Sequence, residues 1–146
     1  MGCRAVLIFL SIFCFISVGA AQGEWQLYHQ SDNLTIEVRD LTCNDVANGI
    51  TKQYKQLRFS NTSADKVLAV SFYRNLWYDD NCTSCNHAYP EYFHEYTLPA
   101  GATLMEDCEK PIDKGLMLFI DMPNIEGNRK LTNFELAELT VEEEEL

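Results

Sequence analysis

The sequence predicts an all-β fold: an immunoglobulin-like antiparallel β-sandwich of seven to eight strands, with a small up-and-down β-barrel as the alternative. Three observations lead there. Short runs rich in β-branched and aromatic residues alternate with turn residues at the close spacing of sandwiches and barrels. No stretch sustains the 3.6-residue period of an amphipathic helix. The 146 residues are 47% hydrophobic, ordinary for a globular domain and too many for a disordered chain. Neither an internal repeat nor a Pro/Gly-rich linker divides the chain, so one domain is expected.

The first element is an address. Residues 1–4 carry one positive charge, residues 5–18 are uncharged and apolar, and Gly19, Ala20 and Ala21 are small. This is the three-part pattern of a secretory signal peptide, expected over residues 1–21. The apolar run is shorter than the roughly 20 residues that span a bilayer, so a membrane anchor is not expected, and no span remains after cleavage. Val6 stands where N-myristoylation wants Ser or Thr, which sets that reading aside. Cleavage leaves residues 22–146, with ten basic residues against 22 acidic ones and a net charge of −12. So negative a field argues against nucleic-acid binding and against self-association, and a monomer is expected.

Strands follow in order. Residues 25–29 make a possible first strand, and residues 34–39 alternate apolar and polar as a half-buried strand does. Asp45 to Gly49 allows at most a helical turn. Residues 53–60 carry Tyr54, Leu57 and Phe59, and the cluster from Asn61 to Asp65 is a turn whose Asn and Asp side chains can bond nearby amides. Residues 67–78 are apolar on both parities, the mark of a central strand covered on both faces. A loop over residues 79–90 holds two cysteines. Further strands are expected at 92–98, 103–108 and 116–120, with turns at 99–101 and 110–114. Residues 131–141 change phase between Phe134/Leu136 and Leu139/Val141, which a β-bulge near Ala137 would reconcile. The last residues, Glu142 to Leu146, are expected to fray as a solvated acidic tail.

Cys3 and Cys14 leave with the leader, so Cys43, Cys82, Cys85 and Cys108 remain, and an even number in an exported chain points to disulfides. Four cysteines allow three pairings, and spacing does not choose among them. Because Cys82 and Cys85 share a loop, each could reach a different partner, Cys43 or Cys108. A bridge from that loop to Cys108 would bring Asp79-Asp80 close to Glu106-Asp107, a convergence of oxygens that suits calcium. Zinc is a second metal reading, since Cys82-x-x-Cys85 precedes His87, but the other cysteines are single and distant. Bracing by disulfides is the reading adopted, with no cofactor and no metal.

The same loop is rich in aromatic residues. Trp77, Tyr78, Asp79, Asp80, His87 and Tyr89 are the candidate ligand-binding set, suited to an unidentified protein or glycan partner. No Gly-x-Ser-x-Gly, His-Glu-x-x-His or phosphate loop occurs, and catalysis is not expected. A small secreted hydrolase with distant carboxylates is the remaining enzymatic alternative. Three sequons, at Asn33, Asn61 and Asn81, would matter in a eukaryotic secretory pathway.

Two likenesses accompany these readings. Gly23-Glu24-Trp25 resembles the Gly-x-Trp signature of lipocalins, which implies the barrel alternative, although the mature chain is short for that family. From about Leu57 to Leu139 the chain resembles small exported β-sandwich proteins of bacteria. The residues that carry this are Phe59-Ser60-Asn61-Thr62-Ser63, Leu76-Trp77-Tyr78 leading to Cys82 and Cys85, Leu98-Pro99-Ala100-Gly101, and Leu131-Thr132-Asn133-Phe134-Glu135-Leu136. That resemblance implies the sandwich and secreted or periplasmic export, and supplies no activity.

Overall fold

The computed structural model describes residues 22–86, 89–109 and 115–145. The expected signal peptide at 1–21, the turn at 110–114 and His87 lie outside the described residues.

The described residues form nine strands and no α-helix. In chain order these are β1 (Gln26–Gln30), β2 (Leu34–Asp45), β3 (Ile50–Asn61), β4 (Lys66–Tyr78), β5 (Asn81–Cys82), β6 (Phe93–Leu98), β7 (Thr103–Met105), β8 (Met117–Asp121) and β9 (Leu131–Glu145). Eight correspond to the expected strands; β5 is a two-residue addition inside the cysteine loop. All pairing is antiparallel. One sheet runs β1-β2-β3, with β7 and β8 sharing the far edge of β3, and it curls into a half-barrel. In the other, β4 is central between β9 and the pair β5 and β6.

Period-2 alternation explains why these strands pack. Ile36 on β2, Leu57 and Phe59 on β3, and Leu68, Val70 and Phe72 on β4 are fully buried in one core. The Phe59 and Phe72 rings meet across the sheets at 5.5 Å. A side chain of that size buried whole contributes about 1.5–3 kcal/mol, so this row is the fold's main source of stability. The turn chemistry also acts as expected. Asn61 Oδ1 accepts the Ser63 amide at 2.9 Å and Ser63 Oγ accepts the Lys66 amide at 3.0 Å, turning the chain from β3 to β4.

The phase change in β9 is resolved by a bulge. Ser71 pairs with Thr140 and Tyr73 with Ala137, so two residues of β9 oppose Phe72. Glu138 there adopts a positive φ of 53°. Just beyond the bulge, the Leu136 amide donates to the Tyr28 hydroxyl at 2.9 Å while Tyr28 stacks on Phe134. These contacts join edge strand β1 to edge strand β9 and close one side of the molecule.

Residues 46–49, where the sequence allows at most a helical turn, are the turn of the hairpin in which Asp45 pairs with Ile50. Two local expectations need correction. The acidic end does not fray after Val141, because Glu142 to Glu145 continue β9 opposite Lys66 to Ala69. Lys66 and Asn33 both donate to the Glu143 carboxylate and hold it below its ordinary pKa, which offsets part of the like-charge repulsion. Finally, β4 is central within its sheet, but its outer row of Val67, Ala69, Ser71 and Tyr73 is only half-buried.

Candidate functional site

The structure decides the cysteine pairing that spacing leaves open. Cys43 bonds Cys108, and Cys82 bonds its loop neighbour Cys85. The bridge from the loop to Cys108 that would have drawn Asp79-Asp80 to Glu106-Asp107 is therefore not formed. All four sulfurs are in disulfides, so none is a thiolate available to zinc. Among the described residues, no three His, Cys, Asp or Glu side chains gather to hold a metal.

Strand alternation splits the aromatic candidates between two faces. Leu76 and Tyr78 pack on the core, whereas Trp77 lies on the opposite face of β4 beside Cys82 and Asn133. Asp79 and Asp80 are the two loop residues of the β4–β5 hairpin. Both have positive φ, 49° and 63°, the pattern of the tight turn that matches strand twist. Asp79 clasps the loop before β9: its amide donates to the Lys130 carbonyl and its carboxylate accepts the Lys130 amide at 3.0 Å. The Asp80 amide donates to Thr132 Oγ1. Asp79 thus holds the turn with its side chain, and Asp80 with its backbone amide. Tyr89 is 53% exposed and meets Tyr92 edge to face.

A different cluster gathers around Arg74, among residues of β4, β6 and β8. The inward row of β4 reads Leu68, Val70, Phe72, Arg74, Leu76, Tyr78, and Arg74 is only 9% exposed. Its neighbour strand β6 turns His94 and Tyr96 to the same side, where they pack with Phe72. Arg74 lines two cavities. One, about 530 Å³, is bounded by Glu91 to Tyr96 on and before β6. The other, about 520 Å³, is bounded by Leu76, Tyr78, Met117, Phe119 and Met122, with Lys52 and Tyr54 at its rim. Burial lowers the Arg74 pKa, against the opposing pull of Tyr96, Tyr78, Glu106 and Tyr92, yet a guanidinium stays charged at any physiological pH.

The surroundings hold this arginine in place. Tyr78 donates to the Phe119 carbonyl at 2.7 Å, spanning the gap between the sheets. Ser84, fully buried, accepts the Leu76 amide and donates to the Arg74 carbonyl at 2.6 Å. The Cys82–Cys85 bridge closes the loop that presents Ser84, so this small disulfide helps fix the backbone beneath Arg74. Gly115 passes so close that a Cβ would overlap the Tyr96 hydroxyl and lie 3.0 Å from His94 Nδ1. Gly115→Ala is accordingly expected to push Tyr96 out of place and cost about 1–3 kcal/mol, read as a lower urea midpoint with an unchanged slope.

The one sequence signal for this cluster is an arginine within the alternating apolar row Leu68, Val70, Phe72, Leu76 and Tyr78 of β4. Comparison with known protein families, curated proteins and solved structures finds no match. The described residues define an all-β chain of two antiparallel sheets with two disulfides, one tying β2 to the segment after β7 and one within the loop after β5, and with a buried arginine on the inward row of β4. No helix among them is long and apolar enough to cross a membrane.

Proposed function

We propose that this chain is a secreted or periplasmic, non-catalytic binding module. It is one disulfide-braced immunoglobulin-like sandwich that follows a cleaved leader and acts as a monomer. Its site is the pair of cavities that share Arg74 as a wall, and its ligand carries an oxyanion, most simply a carboxylate, on an apolar body. The observation that carries this is the placement of a buried guanidinium on the shared wall of two cavities. A guanidinium only donates, in a planar fork that matches a carboxylate, and the aromatic and aliphatic walls suit an apolar remainder. An acidic sugar or peptide group presents the same chemistry as a free organic acid. Two disulfides accord with an oxidising compartment, as the resemblance to exported bacterial sandwiches also suggests.

Two measurements test the proposal. Intact mass after alkylation under denaturing, non-reducing conditions is expected to show a chain starting near residue 22 with no alkylated cysteine. A retained leader in exported material, or alkylated thiols, would overturn the export reading. Titration with aryl and alkyl carboxylates, and with the corresponding amines, is expected to give saturable heat for carboxylates only. Arg74→Lys should weaken that binding at least tenfold while the folded circular-dichroism signature persists, because an ammonium lacks the planar fork. Binding of amines instead, or carboxylate binding indifferent to Arg74→Lys, would sink the site assignment.

A further inference from the structure

The three sequons are equivalent in sequence and very different in space. Asn61 is 3% exposed, and its amide is fully engaged. Nδ2 donates to the carbonyls of Lys66 (2.8 Å), Leu98 (3.0 Å) and Pro99 (3.0 Å), while Oδ1 accepts the Ser63 amide. Two N–H hydrogens already serve three carbonyls, so the nitrogen can neither lose a hydrogen nor accommodate a sugar. Asn81 is the opposite case. It is exposed, follows the two-residue turn of the β4–β5 hairpin, and uses its amide for a single bond to the Asp79 carbonyl at 2.9 Å. A substituted amide keeps one N–H, which suffices for that bond. Asn33 lies between these extremes, half-buried with its amide tied to Glu143.

We infer that Asn81 is an N-glycosylation site and that Asn61, despite its sequon, carries no glycan in the folded protein. The step joins Asn81 Nδ2 to the anomeric carbon of an oligosaccharide delivered as a polyisoprenyl pyrophosphate. The C–N bond forms as the anomeric C–O bond breaks, the lipid pyrophosphate leaves with the electron pair, and the amide nitrogen gives up one proton. The host's membrane-bound oligosaccharyltransferase supplies the catalysis and the donor. Transfer acts on the unfolded chain, where Asn61 is also accessible. Discrimination therefore comes from folding: a chain modified at Asn61 cannot close the turn between β3 and β4 and is lost from the secreted fraction. Attached at Asn81, a glycan projects from the hairpin tip beside the Cys82–Cys85 loop and shields that end of the molecule.

This inference rests on the export reading, so the full chain is expressed in eukaryotic secretory cells in two forms, with its own leader and with a leader of proven efficiency. The secreted protein is mapped by glycosidase release in heavy-oxygen water, which tags each formerly glycosylated Asn by mass. The expected map tags Asn81 and leaves Asn61 untagged, and Asn81→Gln loses that glycan while melting as the parent does. A bare Asn81 in secreted protein from either leader, or a tagged Asn61 in the folded fraction, overturns the inference. If only the proven leader gives secreted protein, the export reading fails and the native modification falls with it, and a tagged Asn81 in that sample then shows that the failure lies in export and not in the geometry of the sequon.

Discussion

A Cys43→Ser, Cys108→Ser double variant is expected to lose about 4 kcal/mol of stability and to melt on the order of 10–20 °C below the parent. The bridge joins residues 65 apart, tying the outer end of β2 to the segment after β7. Without it the unfolded chain regains the freedom of that long loop, and the closure entropy grows with the logarithm of loop length. The folded side suffers too. Cys43 packs on a small satellite cluster of Leu41, Tyr54 and Met117, which depends on that segment staying in place. Urea denaturation of the two forms measures the difference. The matched control is Cys82→Ser, Cys85→Ser, whose bridge spans only three positions. Its loss should stay below about 2 kcal/mol by the same entropy argument, yet weaken ligand binding, because it loosens the loop that holds Ser84 against the Arg74 carbonyl. Equal destabilisation by both double variants would show that Cys43–Cys108 is not the principal brace.

Asn61→Ala is expected to cost on the order of 3–4 kcal/mol, an unusually large effect for a turn residue. Asn61 lies where the chain leaves β3, and its amide reaches the carbonyls at the start of β4 and at the end of β6. It therefore joins two crossings between the sheets, the turn after β3 and the turn after β6. The Ser63 carbonyl accepts the Gly101 amide and reinforces the same junction. Alanine removes the donor and leaves buried carbonyls without it, and the desolvation of such groups is costly. Asn61→Asp separates this from a loss of volume. Aspartate keeps the shape but faces carbonyl oxygens, so its folded-state pKa must rise above the unfolded value near 3.9. The folded state then binds the extra proton, and stability should fall as pH rises through the interval between the two values. Thermal melts from acid to neutral pH that stay flat for Asn61→Asp would overturn this account.

Much of the fold was legible because it is written locally. Alternation placed the strands, since a half-buried strand must present one parity to the core, and Ile36, Phe59, Phe72 and Leu98 obey it. The Asn61–Asp65 turn was legible because short polar side chains bond the amides of their own turn. The phase slip between Leu136 and Leu139 foretold the bulge, because only an extra residue restores facing after a change of parity. Trp77 and Tyr78 carry the same local signal: adjacent residues on a strand point to opposite faces, so these two members of the candidate set do not share one surface. Arg74 is similar, a cation between Phe72 and Leu76 in the apolar row of β4.

Other features depended on which strands become neighbours. The cysteine pairing is one, because disulfide formation needs a Cα separation such as the 5.5 Å between Cys43 and Cys108, and spacing along the chain does not reveal it. The acidic end is another. Four consecutive glutamates read as a solvated tail, but β4 offers them unpaired backbone, and Lys66 stands opposite. The candidate site was hidden for the same reason. Arg74, Tyr96, Phe119 and Ser84 come from separate segments, and they meet only because the two sheets pack together and bring β4, β6, β8 and the cysteine loop side by side. By itself, the sequence determined the strands, the turns and the position of the bulge, all set by interactions within a few residues. The tertiary structure alone decided the disulfide partners, the course of the last strand and the surroundings of Arg74, because each depends on contacts between residues far apart in the chain.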